Sequence, residues 1–246
     1  MIIAVALDTG GRQAVEPHVA LSDDDLAARR ELTQLASMMG WSAELWARIA
    51  APTYPVLIDE EHRVADLFGM TNVPQAVWID EAGRIVRPAE TAGFGDNHKN
   101  MDRETFTVPE EDLQRLAANR LHYMNAIRDW VRDGADSVYA LDPDEVRRRT
   151  RRPEERDVHA AVHARLGRLL FGEGHHDAAK HHFRRATALC PEKWNYRRQA
   201  MVLEPELVGQ LNTSPEFFEA QDALGDAPYQ TPIEMPGIIP DEFPRT

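Results

Sequence analysis

The stretch that decides the fold comes in four pieces. Tyr54-Pro55-Val56-Leu57-Ile58-Asp59 is followed by Val64-Ala65-Asp66-Leu67-Phe68-Gly69. Then come Asn72-Val73-Pro74-Gln75-Ala76-Val77-Trp78-Ile79-Asp80 and Ala82-Gly83-Arg84-Ile85-Val86. Residues 54–58 read as a short strand, preceded by proline and ended at Asp59. Residues 59–68 read as a short helix stopped by Gly69, since glycine takes the left-handed conformation at a helix end without a Cβ penalty. Residues 75–80 and 84–86 read as strands, with 81–83 the hairpin turn between them and Gly83 placed where φ is positive.

Outward from this stretch, residues 1–8 read as a buried strand built on Ile2, Ile3, Val5 and Leu7, with Asp8 at its end. Residues 22–51 read as helix, with Ser22 as N-cap and Asp23, Asp24 and Asp25 in its first turn. Pro109 opens a long helix to about residue 133, with Leu113, Leu116, Leu121, Met124, Ile127 and Val131 as its apolar face. Asp142-Pro143 opens a short basic helix. Residues 157–203 are helix-turn-helix material.

The stretch resembles the thioredoxin-like redoxins of the ResA and TlpA type, neighbours of the AhpC/TSA peroxiredoxins. Their "P-V-L-x-D", "V-A-x-x-F/Y-G-V", "V-P-x-x-x-x-I-D" and "G-x-I-V" elements fall here in the same order. The likeness covers about residues 1–133, with 1–8 matching the strand that follows the family's active-site helix. It implies an α/β thioredoxin-like domain, here incomplete, without the first core strand and the active-site helix. It also implies a cis peptide before Pro74, and that Val73 offers its N–H and C=O to an extended substrate, by addition of a strand to a sheet edge. Val73 and Pro74 are thus the expected substrate-binding residues.

The family's Cys-x-x-Cys, or in one subgroup Trp-Ala-x-x-Sec-Cys, stands at the N-terminus of a helix, where the dipole and free N–H groups lower a thiol pKa. It would fall upstream of residue 1. Two accounts follow: the protein extends upstream through such a motif, or it is a degenerate module with a rearranged sheet. No catalytic residue is expected within residues 1–246, and the chain alone is expected to be inactive.

Residues 160–193 match one 34-residue tetratricopeptide (TPR) repeat. Leu166, Gly167, Ala179, Phe183, Ala186 and Pro191 agree with the pattern, while His163 and Leu170 replace its Trp and Tyr. About three repeats are needed to bury a continuous core. The pair is therefore expected to pack on the long helix, on the helix from Trp194, or on another subunit. The run Trp194-Asn195-Tyr196-Arg197-Arg198-Gln199-Ala200 resembles a segment that follows such a pair in the same redoxin subgroup. The expected organisation is a truncated thioredoxin-like domain at 1–133, a basic linker helix at 134–156, an all-α TPR-like region at 157–204 and an acidic, Pro-rich tail at 205–246.

Composition narrows the function. The 246 residues hold 28 Lys+Arg against 41 Asp+Glu, a net charge of -13, which argues against nucleic-acid binding. Residues 201–246 hold one basic and nine acidic residues and seven of the sixteen prolines. Arg147–Arg152 reads as a solvated linker helix; the alternative is that the acidic tail docks on it or on Arg184, Arg185, Arg197 and Arg198. No segment is long and apolar enough to span a bilayer. No secretion signal is recognisable, so the expected location is the cytoplasm.

The one cysteine, Cys190, permits no disulfide within the chain and reads as a small buried filler. Six of ten histidines lie between residues 159 and 182. His159 and His163 have i,i+4 metal-compatible spacing, but without a cysteine partner or H-E-x-x-H the set reads as a solvated surface, and no metal or cofactor is expected.

The function expected from the resemblance is a redox one, thiol–disulfide exchange or peroxide reduction with antioxidant activity. Its partner would be a disulfide-containing protein or a peroxide at the Val73–Pro74 edge, with a protein partner for the TPR-like region. The alternative is a non-catalytic interaction module.

Overall fold

The computed structural model describes residues 1–19, 54–93, 95, 100–150, 152–203, 214–225 and 227–240. The helix expected over residues 22–51 lies outside them. The architecture is mixed: two small sheets in the first half and a helical second half. Strand β1 (Ala4–Ala6) pairs in parallel with β2 (Val56–Ile58), Ala4 opposite Val56 and Ala6 opposite Ile58. Helix α1 (Gly11–Val19) follows β1. Helix α2 (Arg63–Leu67) follows β2. Strand β3 (Gln75–Ile79) pairs antiparallel with β4 (Ile85–Thr91). Among the described residues no strand joins the two sheets.

Helix α2 starts four residues later than the pattern predicts. Asp59 stays outside it and caps it, accepting from the N–H groups of Arg63, Val64 and Ala65 at 2.8, 2.7 and 3.4 Å. Strand β4 is longer than expected. It runs through Pro88, which has no N–H to give a ladder. The register explains this: Trp78 faces Arg87 while Ala76 faces Glu90, so β4 carries one extra residue there. Gly69 and Gly83 take the positive φ expected of them, 66° and 75°.

Helix α3 (Glu110–Asp133) has the expected bounds but only part of the expected face, with Leu116 buried and Ile127 packed against the Trp78 cluster. Its buried stripe is Asp112, Leu116, Asn119, Tyr123 and Ala126, while Leu121, Met124 and Val131 are exposed. The polar members are buried because each is bonded. Asn119 holds Ile239, and Asp112 pairs with Arg115 at 2.6 Å and Asn100 at 3.0 Å. Tyr123 and Ala126 close over Trp78, whose indole N–H donates to the Tyr123 hydroxyl at 3.0 Å.

A 3-10 turn (Gly134–Asp136) leads to α4 (Pro143–Arg149), capped by the Asp142 carboxylate. Helices α5 (Glu155–Gly172) and α6 (His176–Leu189) form the expected pair. A Cβ on Gly167 would sit 3.0 Å from the buried Phe183 ring, so the two helices meet where the glycine leaves room. The pair packs on α7 (Trp194–Val202), with Tyr196 completing a cluster of Ala160, Ala164, Ala186 and Cys190. Val158, Val162 and Leu169 of α5 remain exposed.

The tail holds a helix that sequence reading did not place, α8 (Pro215–Asp222), although its start is marked: Ser214 caps Phe217 N–H and Pro215 stands at the first turn. Phe217 and Phe218 pack with Met101, Trp194, Met201 and Tyr229 in a third cluster. No described helix is long and apolar enough to cross a membrane.

Candidate functional site

The loop from α2 to β3 carries Val73 and Pro74, and the peptide between them is cis, as the resemblance implies. The loop is shaped by its own side chains. Gln75 Oε1 accepts from Thr71 N–H at 2.8 Å and Asn72 N–H at 3.3 Å. Asn72 Oδ1 accepts from Val73 N–H at 2.9 Å, while the Pro74 carbonyl accepts from Ala92 N–H at 3.2 Å. Helix α7 braces the loop from outside: Asn195 N–H donates to the Thr71 carbonyl at 3.0 Å, and Arg198 Nε to Asn72 Oδ1 at 3.2 Å.

The two Val73 groups assigned to a substrate both have partners within the chain. The N–H is held by Asn72. The carbonyl accepts from Gln230 Nε2 at 3.4 Å. Gln230 belongs to the C-terminal segment 227–240, which crosses this face without forming helix or strand. Thr91 Oγ1 donates to the Thr231 carbonyl at 2.6 Å, and Gln75 Nε2 to Thr231 Oγ1 at 2.8 Å. The C-terminal segment meets two of the basic residues named for the alternative, through a carbonyl and a hydroxyl. Arg149 NH1 donates to the Glu234 carbonyl at 2.9 Å, and Arg198 bonds the Tyr229 hydroxyl. Arg147 and Arg148 are spent on Asp144 and Glu145 of their own helix.

A second polar group lies under the interface of the two halves, at the C-terminal ends of β1 and β2. His62 is buried with φ 56°, and neither ring nitrogen has a partner. Burial, and then the Arg168 charge, hold its pKa down at about 4. Arg168 is itself buried, with NH1 unpartnered, and burial lowers its pKa. Burial raises Asp66 above the usual carboxylate range, and the Tyr196 hydroxyl donates to it at 3.3 Å. Nothing in the periodicity marks His62 or Arg168; the Arg168 charge, on α5, bears on His62 only through the fold.

Cys190 is fully buried, near the Arg156 carbonyl at 3.8 Å and Asp157 Oδ1 at 3.5 Å. Burial first, then the bond to Asp157, push its thiol up to about 11. Such a thiol is neither a ready nucleophile nor a ready metal ligand. Asp157, Cys190 and Glu192 are the one described group of three ligand-type side chains that converge. Its carboxylates already face cations: Lys193 lies 3.7 Å from Asp157, and Arg156 lies 3.0 Å from Glu192. His163 meets His182 across the helix pair, Nδ1 to Nδ1 at 2.8 Å, with the rings stacked. Burial, then His182, hold His163 below the ordinary imidazole range.

Comparison of the chain with family models, with curated proteins and with solved structures finds no match in any of the three. The functional reading therefore rests on the chain's own residues.

Proposed function

We propose that this chain is the substrate-gripping part of a thioredoxin-like redox protein, a thiol–disulfide oxidoreductase or peroxiredoxin-like reductase, joined to a TPR-like helical region. The observation that carries the reading is the order and sense of the strands. A parallel pair β1–β2 is followed by an antiparallel hairpin β3–β4, and then by a long helix whose Tyr123 and Ala126 pack on Trp78. The resemblance implies that order after the active-site helix, with the strand that precedes that helix lying between the two pairs in the sheet. Val73 and Pro74 would present an edge to an extended peptide carrying the disulfide.

The chemistry needs a thiolate or selenolate. It attacks one sulfur of the substrate disulfide and forms a mixed disulfide, and the other substrate sulfur leaves as thiolate. A resolving cysteine then attacks the mixed disulfide, releases the second substrate thiol, and leaves the protein oxidised. Cys190 is buried with a raised pKa, so the attacking group would come from outside residues 1–246. The test is thiol-dependent reduction of a model protein disulfide. Chain 1–246 alone is expected to be silent. The same chain extended by its in-frame upstream codons is expected to be active, and silence of an extended, folded chain that carries a cysteine pair would overturn the proposal.

The second reading is a non-catalytic interaction module, favoured by the fact that both main-chain groups of Val73 are already bonded within the chain. Activity of the extended chain separates the two.

A further inference from the structure

The segment 228–240 is held in an unusual way. Side chains of the folded body donate to five of its main-chain carbonyls. Asn72 Nδ2 donates to the Tyr229 carbonyl at 2.9 Å. Thr91 holds the Thr231 carbonyl, and Arg87 NH2 donates to the Glu234 carbonyl at 2.9 Å. His122 Nε2 donates to the Pro236 carbonyl at 2.7 Å. Asn119 binds Ile239 twice, donating to its carbonyl at 2.7 Å and accepting from its N–H at 2.8 Å.

Recognition of carbonyls by side chains does not depend on the identity of most residues in the segment. Gln230 and Thr231 add side-chain bonds to Val73 and Gln75, and two larger side chains provide anchors. Tyr229 enters the cluster of Trp194 and Phe217, and Met235 enters the cluster of Trp78 and Tyr123. Prolines at 228, 232, 236 and 240 recur every fourth residue. Each removes an N–H that would need an acceptor and narrows the free segment's conformations, so less entropy is lost on docking. Main-chain bonds plus spaced anchors are the way folded domains hold extended peptides.

Gly237 fixes the register. Its φ is 85°, and a Cβ there would fall 2.4 Å from the His122 ring. Only glycine lets the backbone turn and lie against that histidine.

We propose that Asn72, Arg87, Thr91, Asn119 and His122 form a binding track for a proline-spaced peptide, and that residues 228–240 are its built-in occupant. The occupant reaches the Val73 carbonyl through Gln230, so it competes with any peptide that uses that edge. This last point rests on the redox reading; the track itself stands on the contacts of the tail. Tethering gives the built-in segment an effective concentration on the order of millimolar, so a peptide in solution competes poorly until the tether is cut.

The experiment uses the full chain with a specific protease site inserted after Gly225, cut in the folded state. A labelled peptide of residues 228–240, and the same peptide with Gly237→Ala, are titrated against cut and uncut chain by fluorescence anisotropy. The cut chain, with circular dichroism unchanged, is expected to exchange its own fragment for the peptide. It should bind the peptide at least about tenfold more tightly than uncut chain does. The Gly237→Ala peptide is expected to bind at least tenfold more weakly than the natural one. Equal binding by cut and uncut chain, equal binding of the two peptides, or no exchange on the cut chain would overturn the proposal. Unfolding on cutting would overturn it too, since the segment would then be part of the core. Peptide exchange by a chain whose extended form reduces no disulfide would leave the track standing and remove the redox reading alone.

Discussion

Arg87 and Glu90 form a bidentate ion pair inside one strand, with Nε to Oε1 and NH2 to Oε2 both at 2.8 Å and both side chains buried. Residues three apart on a regular strand point to opposite faces. Here the extra residue around Pro88 turns the strand by one position, and the two side chains share a face. Arg87 then reaches the Tyr139 carbonyl at 2.8 Å and the Glu234 carbonyl at 2.9 Å and lies over the Trp78 ring. One guanidinium thus joins the hairpin, the turn after α3 and the C-terminal segment.

Glu90→Gln leaves that guanidinium buried without its counter-charge, which costs about 3–5 kcal/mol. Urea unfolding of the variant is expected to show a loss of that size. Asp144→Asn, which breaks the exposed pair to Arg147, is expected to leave the midpoint unchanged.

Gly167→Ala brings a methyl to 3.0 Å from the Phe183 ring, which is fully buried. The expected net cost is about 1–2 kcal/mol, overpacking outweighing the helix preference of alanine. Thermal unfolding followed by helical ellipticity reads it. Gly172→Ala, on the same helix with nothing within 4 Å, is the control and should be neutral or stabilising.

His62 makes stability depend on pH. Its native pKa of about 4 lies below the ordinary 6.5, so between these values the unfolded chain binds more protons than the native one. Stability from the neutral ring is complete above about pH 6.5 and falls as pH drops toward 4, by on the order of 3 kcal/mol in all. Unfolding free energies at pH 7.5 and 4.5 are expected to differ less in His62→Gln than in the natural chain. Equal differences would remove His62 as the cause.

Cys190 is expected to resist a thiol reagent in the native chain at neutral pH, through burial and a thiol pushed up to about 11, and to react at once in guanidinium. Fast reaction of native protein would contradict the packing of α5, α6 and α7.

The sequence made the elements legible wherever local chemistry decides them. Gly69 and Gly83 turn the chain at positive φ, Pro109 precedes the first turn of α3, and the Asp142 carboxylate caps α4. The face of α3 was legible only in part, at Leu116 and Ile127. Periodicity counts Leu121 and Val131 as inward, whereas the inward residues include Asn119 and Asp112, buried because distant partners satisfy them. Val73 and Pro74 could be singled out from their neighbours. The occupant of that loop could not: Gln230 and Thr231 lie more than 150 residues further along, and no local pattern pairs them with Val73 and Gln75. His62 with Arg168 is the same case, since the charge of a residue on α5 bears on His62 only through the fold.

We propose that residues 54–91 serve a disulfide- or peroxide-reducing site whose attacking group is supplied from outside residues 1–246. The most direct measurement is the messenger RNA sequence immediately upstream of the Met1 codon. The account predicts, in frame, either a Cys-x-x-Cys or a stop codon followed closely by a cysteine codon with a selenocysteine-insertion hairpin. In-frame sequence with neither would contradict it and leave the interaction module.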